Sequence, residues 1–210
     1  MRTTLLYCFF IFLGISFQSF SQLYTYKNYN HRDGLNMGSI LSLDQSDDGY
    51  VWIGTDGAPL IRFDGETFKE IRIKGQDSEH HITDVSYSKD TVFFSSQYKG
   101  FYAYSKKTHQ YLTLSSNRTA TGDAVGIIIT DNCKYFISHR RIQSFKNGKT
   151  IDIYRSDNSN IELSHYVVHE DRAILFTSKG NFLLSDGKLS PLHDVLKITQ
   201  IGRASWRERV

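Results

Sequence analysis

Three places in the chain carry residue types that could hold a metal ion or move a proton. The run Asp44-Gln45-Ser46-Asp47-Asp48-Gly49 sets oxygen donors at its first, third and fifth positions and glycine at its sixth, as a calcium loop does. Its twelfth position is Thr55 instead of a bidentate glutamate, and strand-like residues flank it on both sides, so it reads as a turn between strands. His165 and His169, followed by Glu170 and Asp171, would share a face on a helix. The segment reads as strand, where a rise of about 3.3 Å per residue puts the two roughly 13 Å apart, too far for joint coordination. His80 and His81 with Asp84 make a poor ligand set, because adjacent strand residues point to opposite faces. A Gly-x-Ser-x-Gly elbow, a phosphate-cradling glycine loop and a paired-cysteine motif are all missing from the sequence. The segment is therefore expected to be no enzyme, and nothing in it calls for a cofactor or a metal. Aromatic residues make up 14% of the chain. Tyr and Trp faces can stack on sugars, but packing between sheets explains most of them, Trp52 included.

Both ends stand apart from the rest. Arg2 precedes an apolar run from Leu5 to Phe17, and Ser19-Phe20-Ser21 then places small residues before Gln22, so residues 1–21 are expected to be a signal peptide cleaved between Ser21 and Gln22. The run is too short for a membrane span, which wants about 20 apolar residues. At the other end, Ile201 to Val210 closely resembles one translated frame of a sequencing-library adaptor, and residues 201–210 are expected to be a non-native tail. On that expectation the protein continues past Gln200. Setting aside Arg2, Arg203, Arg207, Arg209 and Glu208 takes the 25 Lys and Arg to 21 and the 22 Asp and Glu to 21. The apparent basicity vanishes, and with it any charge argument for nucleic acid or an anionic membrane surface. Cys133 is then the one mature cysteine, expected as a small buried residue in a strand.

The remainder repeats. Thr55, Ser96, Ser138 and Ser178 end four similar runs at spacings of 41, 42 and 40 residues: Val51–Thr55, Val92–Ser96, Lys134–Ser138 and Ile174–Ser178. Turn residues follow at matching offsets, Asp64-Gly65, Lys106-Lys107, Asn147-Gly148 and Asp186-Gly187. Four short strands in about 41 residues is the length of one β-propeller blade. Residues 22–200 are thus expected to be all-β, an incomplete propeller of about four four-stranded blades over 39–73, 82–114, 125–155 and 164–192, with a fifth opening at Leu196–Thr199. Ile40–Asp44, Ile82–Ser88, Val125–Thr130 and Ser164–His169 are its innermost strands. The alternating stretch Leu23–Tyr29 is expected as an outer strand that completes a last blade absent from this chain.

The stretch Asp47 to Gly65 carries a resemblance. With Gly34-Leu35 before it, its Asp47-Asp48-Gly49-Tyr50-Val51-Trp52-Ile53-Gly54-Thr55 centre and Arg62-Phe63-Asp64-Gly65 end resemble the two-component regulator propeller repeat, whose centre reads roughly Asp-x-x-Gly-x-x-Trp-x-Gly-Thr. The residues that carry the match are Trp52, Gly54, Thr55, Asp56, Gly57, Arg62, Phe63, Asp64 and Gly65, whose expected role is structural. The match is tight from His31 to Ile71 and loose in later blades. Pro59 stands where the family usually has glycine, which puts the backbone entering Leu60 in question, because proline fixes φ and donates no hydrogen bond.

The resemblance implies a function that composition cannot supply. Proteins with this repeat place one or two propellers outside the cytoplasmic membrane, followed by a linking β-domain, a transmembrane helix and a cytoplasmic histidine kinase or transcription regulator. It implies an intact ring of about seven blades and a periplasmic sensor region facing an unknown extracellular ligand, often a glycan fragment in this family. Membrane attachment comes only through the missing C-terminal part, and a homodimer is open to the full-length protein. The alternative is a secreted propeller that binds protein or polysaccharide without signalling.

Overall fold

The computed structural model describes residues 26–35, 39–72, 81–97, 99–116, 124–156 and 159–192. The proposed signal peptide and its cleavage site at Ser21 and Gln22, the opening of a fifth blade at 196–199, and the tail all lie outside them.

Among the described residues, sixteen strands form four antiparallel sheets, each in simple chain order. The first holds β1 (Ile40–Gln45), β2 (Val51–Thr55), β3 (Leu60–Phe63) and β4 (Phe68–Ile71). The second holds β5 (Ile82–Ser88), β6 (Thr91–Ser96), β7 (Gly100–Ser105) and β8 (Gln110–Ser116). The third holds β9 (Ala124–Ile129), β10 (Lys134–Ser138), β11 (Arg141–Lys146) and β12 (Lys149–Arg155). The fourth holds β13 (Leu163–His169), β14 (Arg172–Thr177), β15 (Gly180–Ser185) and β16 (Lys188–Pro191). The protein is all-β, with four blade-like sheets. Runs of Val, Ile, Phe, Tyr and Thr favour strands, and the turns follow from local chemistry. Asn147-Gly148 and Asp186-Gly187 both sit at positive φ, 53° and 75°, then 49° and 76°, which makes them two-residue turns whose twist suits a hairpin. Pro59 leaves β3 undisturbed, because it precedes the first paired residue, Leu60.

One irregularity recurs in every blade. The pairing of first and second strands skips one residue: Leu41, Thr83, Val125 and Ser164. Such a bulge turns the next side chain, Ser42, Asp84, Gly126 or His165, and sharpens the local twist. In the register set by these bulges the second strands end at Thr55, Ser96, Ser138 and Thr177. Ser178 is thus corrected to Thr177, which pairs with Gly180 across a tight turn and so closes the strand one residue earlier.

The core lies between blades. Trp52 and Leu60 of the first blade meet Val85, Phe94, Tyr102 and Tyr104 of the second. Phe93, Phe101 and Ala103 of the second meet Ile127 and Phe136 of the third, where Phe101 and Phe136 stack at 5.0 Å. Tyr135, Ile137 and Ile142 of the third meet Leu175 and Leu184 of the fourth. Cys133 is buried in that last cluster, in the turn before β10 instead of within a strand.

Tyr26–Tyr29, the described part of the stretch Leu23–Tyr29 expected as an outer strand of a last blade, pairs with none of the four sheets, and residues 23–25 lie outside the described residues. Asn30 instead caps a single turn of 3-10 helix, His31–Asp33, closed by Gly34 at φ 98°. Tyr29 then sits edge-on to Phe63 and Phe68, and Leu35 is buried against Ile53, Ala58 and Ile61. The segment therefore covers part of the outward face of the first blade, and side-chain packing there replaces strand pairing. What it leaves open is β1, where Ile40, Leu41 and Leu43 are 43%, 48% and 56% exposed. The counterparts of Leu43, Val85 and Ile127, are covered by the preceding blade. Residues 22–200 produced alone should therefore self-associate through this strip in sedimentation, and Leu41→Lys with Leu43→Lys should raise the monomer fraction. A monomeric, sharply melting 22–200 would contradict this.

Candidate functional site

The repeat-like residues of the first blade serve mainly to hold it. Trp52 is 1% exposed, and its indole Nε1 donates to Ser46 Oγ at 3.1 Å. Gly54 lies so close to the second blade that an added Cβ would stand 2.8 Å from both Cγ2 and the carbonyl oxygen of Ile82. Thr55 is fully buried. Asp56 forms a backbone bridge with His81, and its carboxylate meets His81 Nδ1. Gly57 adopts φ 100°. Phe63 stacks on Phe68 at 4.4 Å. Asp64 accepts from the backbone N–H groups of Thr67 and Glu66 and from Thr67 Oγ1, which lowers its carboxyl to about 2. Gly65, at φ 99°, completes that turn, and its carbonyl accepts from Tyr29 Oη at 3.1 Å.

The oxygens of the calcium-like run have protein partners. Asp44 accepts from Tyr87 N at 2.6 Å, Ser46 donates to Asp48, and Asp48 pairs with Lys106 at 2.6 Å. The run is the turn between β1 and β2, with Gly49 at φ 86°. His165 stacks on Phe176 at 4.1 Å, and His169 is exposed at the end of β13. His81 and Asp84 are drawn to different partners: His81 to Asp56, Asp84 to Ser42 and the third blade. His80 lies outside the described residues.

One residue of the motif does something else. Arg62 lines a cavity of about 150 Å³ between the first and second blades, together with Asp48, Tyr50, Trp52, Tyr104, Lys106 and His109. The turns β1–β2 and β7–β8 and the strand β3 meet here, so two turns and a strand position its polar groups. The Arg62 guanidinium lies over the Tyr50 ring at 4.3 Å. Its Nε is buried without a hydrogen-bond partner. Lys106 faces the Tyr87 ring at 4.9 Å as well as Asp48. Its hydrogen bond, with help from Ser46, lowers the Asp48 carboxyl. Partial burial pulls the Lys106 ammonium down, but Asp48 and Tyr87 outweigh it and the net direction is up. Tyr104 Oη and His109 Nδ1 are 2.9 Å apart, and burial raises the phenol. His109 holds φ 56°, a left-handed conformation uncommon for a residue with a side chain.

This combination belongs to one interface. Arg62 is paired with Trp52 across the sheet, and the same positions hold Ala103 with Phe93 and Ser144 with Tyr135 in the next two blades.

Comparison with known proteins places the fold in context. No protein-family model matches the chain. Over 70 residues it is 39% identical to histidine kinase P4 of Formosa agariphila, a stretch that spans 33% of this chain and 5% of that one. Its fold is similar to the extracellular domain of BT3049 from B. thetaiotaomicron, a protein assigned to the hybrid two-component systems, with TM-score 0.61 and 17% identity over 79% of this chain and 26% of that one. The corresponding domain of BT4673, described both as a hybrid two-component and as a one-component system, gives TM-score 0.57 and 14% identity over 77% of this chain and 23% of that one. At these identities the likeness is one of fold. The chain thus spans about a quarter of the length of each of these two extracellular domains.

The sequence reading grouped Arg62 with the structural motif and overlooked Tyr104, Lys106 and His109. The signal available was the replacement of Arg62 by alanine and serine at the equivalent positions.

Proposed function

We propose that residues 22–200 are the N-terminal extracytoplasmic, ligand-sensing region of a two-component signal transduction sensor. The observation that carries this reading is the fold shared with extracellular domains assigned to two-component systems over more than three quarters of the chain. The short match to a histidine kinase supports the same direction. In this reading the blades form the ligand-facing part of a larger ring, the segment has no catalytic role, and a membrane span and a kinase or regulator module follow. The ligand acts from outside the cytoplasmic membrane, with glycan fragments the class that the repeat resemblance suggests.

The intact gene tests it. Codons beyond Gln200 should encode further blades, a membrane span and kinase or regulator motifs, and deleting residues 22–200 should abolish the response of a reporter to its inducing ligand. A native stop soon after the ring, or a sorting domain in place of a membrane span, would instead make the protein a secreted binder.

A further inference from the structure

We propose that the cavity between the first two blades binds the carboxylate of a small organic acid. Arg62 carries the argument. Its guanidinium makes no hydrogen bond or ion pair with any described residue, and its Nε is buried without an acceptor. Buried donors in native proteins nearly always have partners, and a planar N–H fork is matched best by a carboxylate or a phosphate.

Charge chooses between those two. Arg62 and Lys106 bring two positive charges to the cavity, and Asp48, 2.6 Å from Lys106, cancels one of them. Lys106 and Asp48 thus offset each other, and the Arg62 guanidinium leaves one positive charge, which suits a monoanion. A phosphate dianion would meet the Asp48 carboxylate with a charge that nothing balances. The walls agree: Tyr50, Trp52 and Tyr104 offer aromatic surface to a short carbon skeleton, and His109, held through Nδ1 by Tyr104, keeps Nε2 for a hydroxyl. A cavity of about 150 Å³ has the volume of roughly five waters, enough for an acid of a few carbons. The other two interfaces, with Ala103 and Ser144 at the Arg62 position, lack the fork.

The role of such a ligand in signalling rests on the sensor reading above, whereas binding itself does not. The test is calorimetric titration of the intact protein with lactate, with uncharged lactamide and with inorganic phosphate. Alongside it, the rate at which phenylglyoxal modifies Arg62 is followed by peptide mass mapping with and without lactate. Lactate should bind and slow the modification, lactamide should do neither, and phosphate should bind at least about tenfold more weakly than lactate. Arg62→Met, which removes the guanidinium but keeps a flexible unbranched side chain, should weaken lactate by about tenfold or more. Should that variant not fold, the modification experiment on the unaltered protein still decides. Unchanged modification of Arg62 under saturating lactate, or equal binding of lactamide, would overturn the site. Phosphate binding tighter than lactate would overturn the carboxylate assignment. A protein that binds lactate at Arg62 but whose gene encodes no membrane span or signalling module would sink the sensor reading and leave the site standing.

Discussion

Replacing Trp52 by alanine in the intact protein is expected to cost about 3–5 kcal/mol of stability, the usual penalty for removing a large buried aromatic. Trp52 is 1% exposed, and its ring packs 5.7 Å from that of Tyr104 across the gap between the first and second blades. No neighbour can collapse into the space, because Gly54 and Ile82 already hold the two backbones in close contact beside it. The indole N–H also has a defined partner in Ser46, itself 3% exposed, so Trp52→Phe should cost less than alanine but still lose that bond. Denaturant melts of the three proteins check the order. Because Trp52 also lines the cavity, loss of ligand binding does not discriminate. A Trp52→Ala protein with an unaltered melt and no ligand binding would make Trp52 a recognition residue instead of a structural one.

The blades were legible because each is a short, nearly self-contained pattern. Leu60–Phe63, Ile82–Ser88 and Lys134–Ser138 are strands with the same bounds in sequence and structure, since each run ends at polar turn residues, Asp64-Gly65, Lys89-Asp90 and His139-Arg140. The slip at Ser178 arose from aligning hydroxyl residues by type, whereas register is set by hydrogen bonding through the tight turn at Gly180. The part of Leu23–Tyr29 that is described, Tyr26–Tyr29, alternates as a strand would but has no partner among the four sheets; the chain turns at Asn30 and places Tyr29 and Leu35 on apolar surface. The cavity was the least legible feature. Arg62, Lys106 and His109 are more than 40 residues apart at the extremes, and their meeting depends on how two blades pack. The bulges were hidden too, because an extra residue at Leu41, Thr83, Val125 and Ser164 breaks the alternation that reveals strands.

Those bulges set up the second large effect, at Asp84. The bulge before it turns its carboxylate between blades, where it accepts from Ile127 N at 2.7 Å in the third blade, from Ser42 Oγ at 2.9 Å in the first, and from its neighbour Val85 N at 2.9 Å. One side chain thereby joins three blades. Ser42 occupies the same place one blade earlier and accepts from Val85 N at 3.1 Å, the counterpart of Ile127 N. Gly126 holds the place one blade later and supplies no such link. Asp84→Ala should cost about 2–3 kcal/mol, since it leaves the Ile127 N–H and the Ser42 hydroxyl without their acceptor in an enclosed setting.

Burial raises the Asp84 carboxyl above its ordinary value, with the three donors opposing and Asp44 adding to the rise. The folded state then holds a proton more readily than the unfolded chain. The contribution is fully favourable below the unfolded value, near 3.9, and is lost as pH rises through the higher folded value. Asp84 should therefore make the protein less stable at neutral pH than in mild acid, opposite to the trend of Asp64, whose lowered carboxyl favours the folded state as pH rises. Asp84→Asn keeps an oxygen for Ile127 N–H and removes the charge. Its melting temperature should stay close to the unaltered protein at pH 7, and the fall in stability as pH rises from acid should shrink. An Asp84→Asn protein as unstable as Asp84→Ala would show that the negative charge itself holds the blades together.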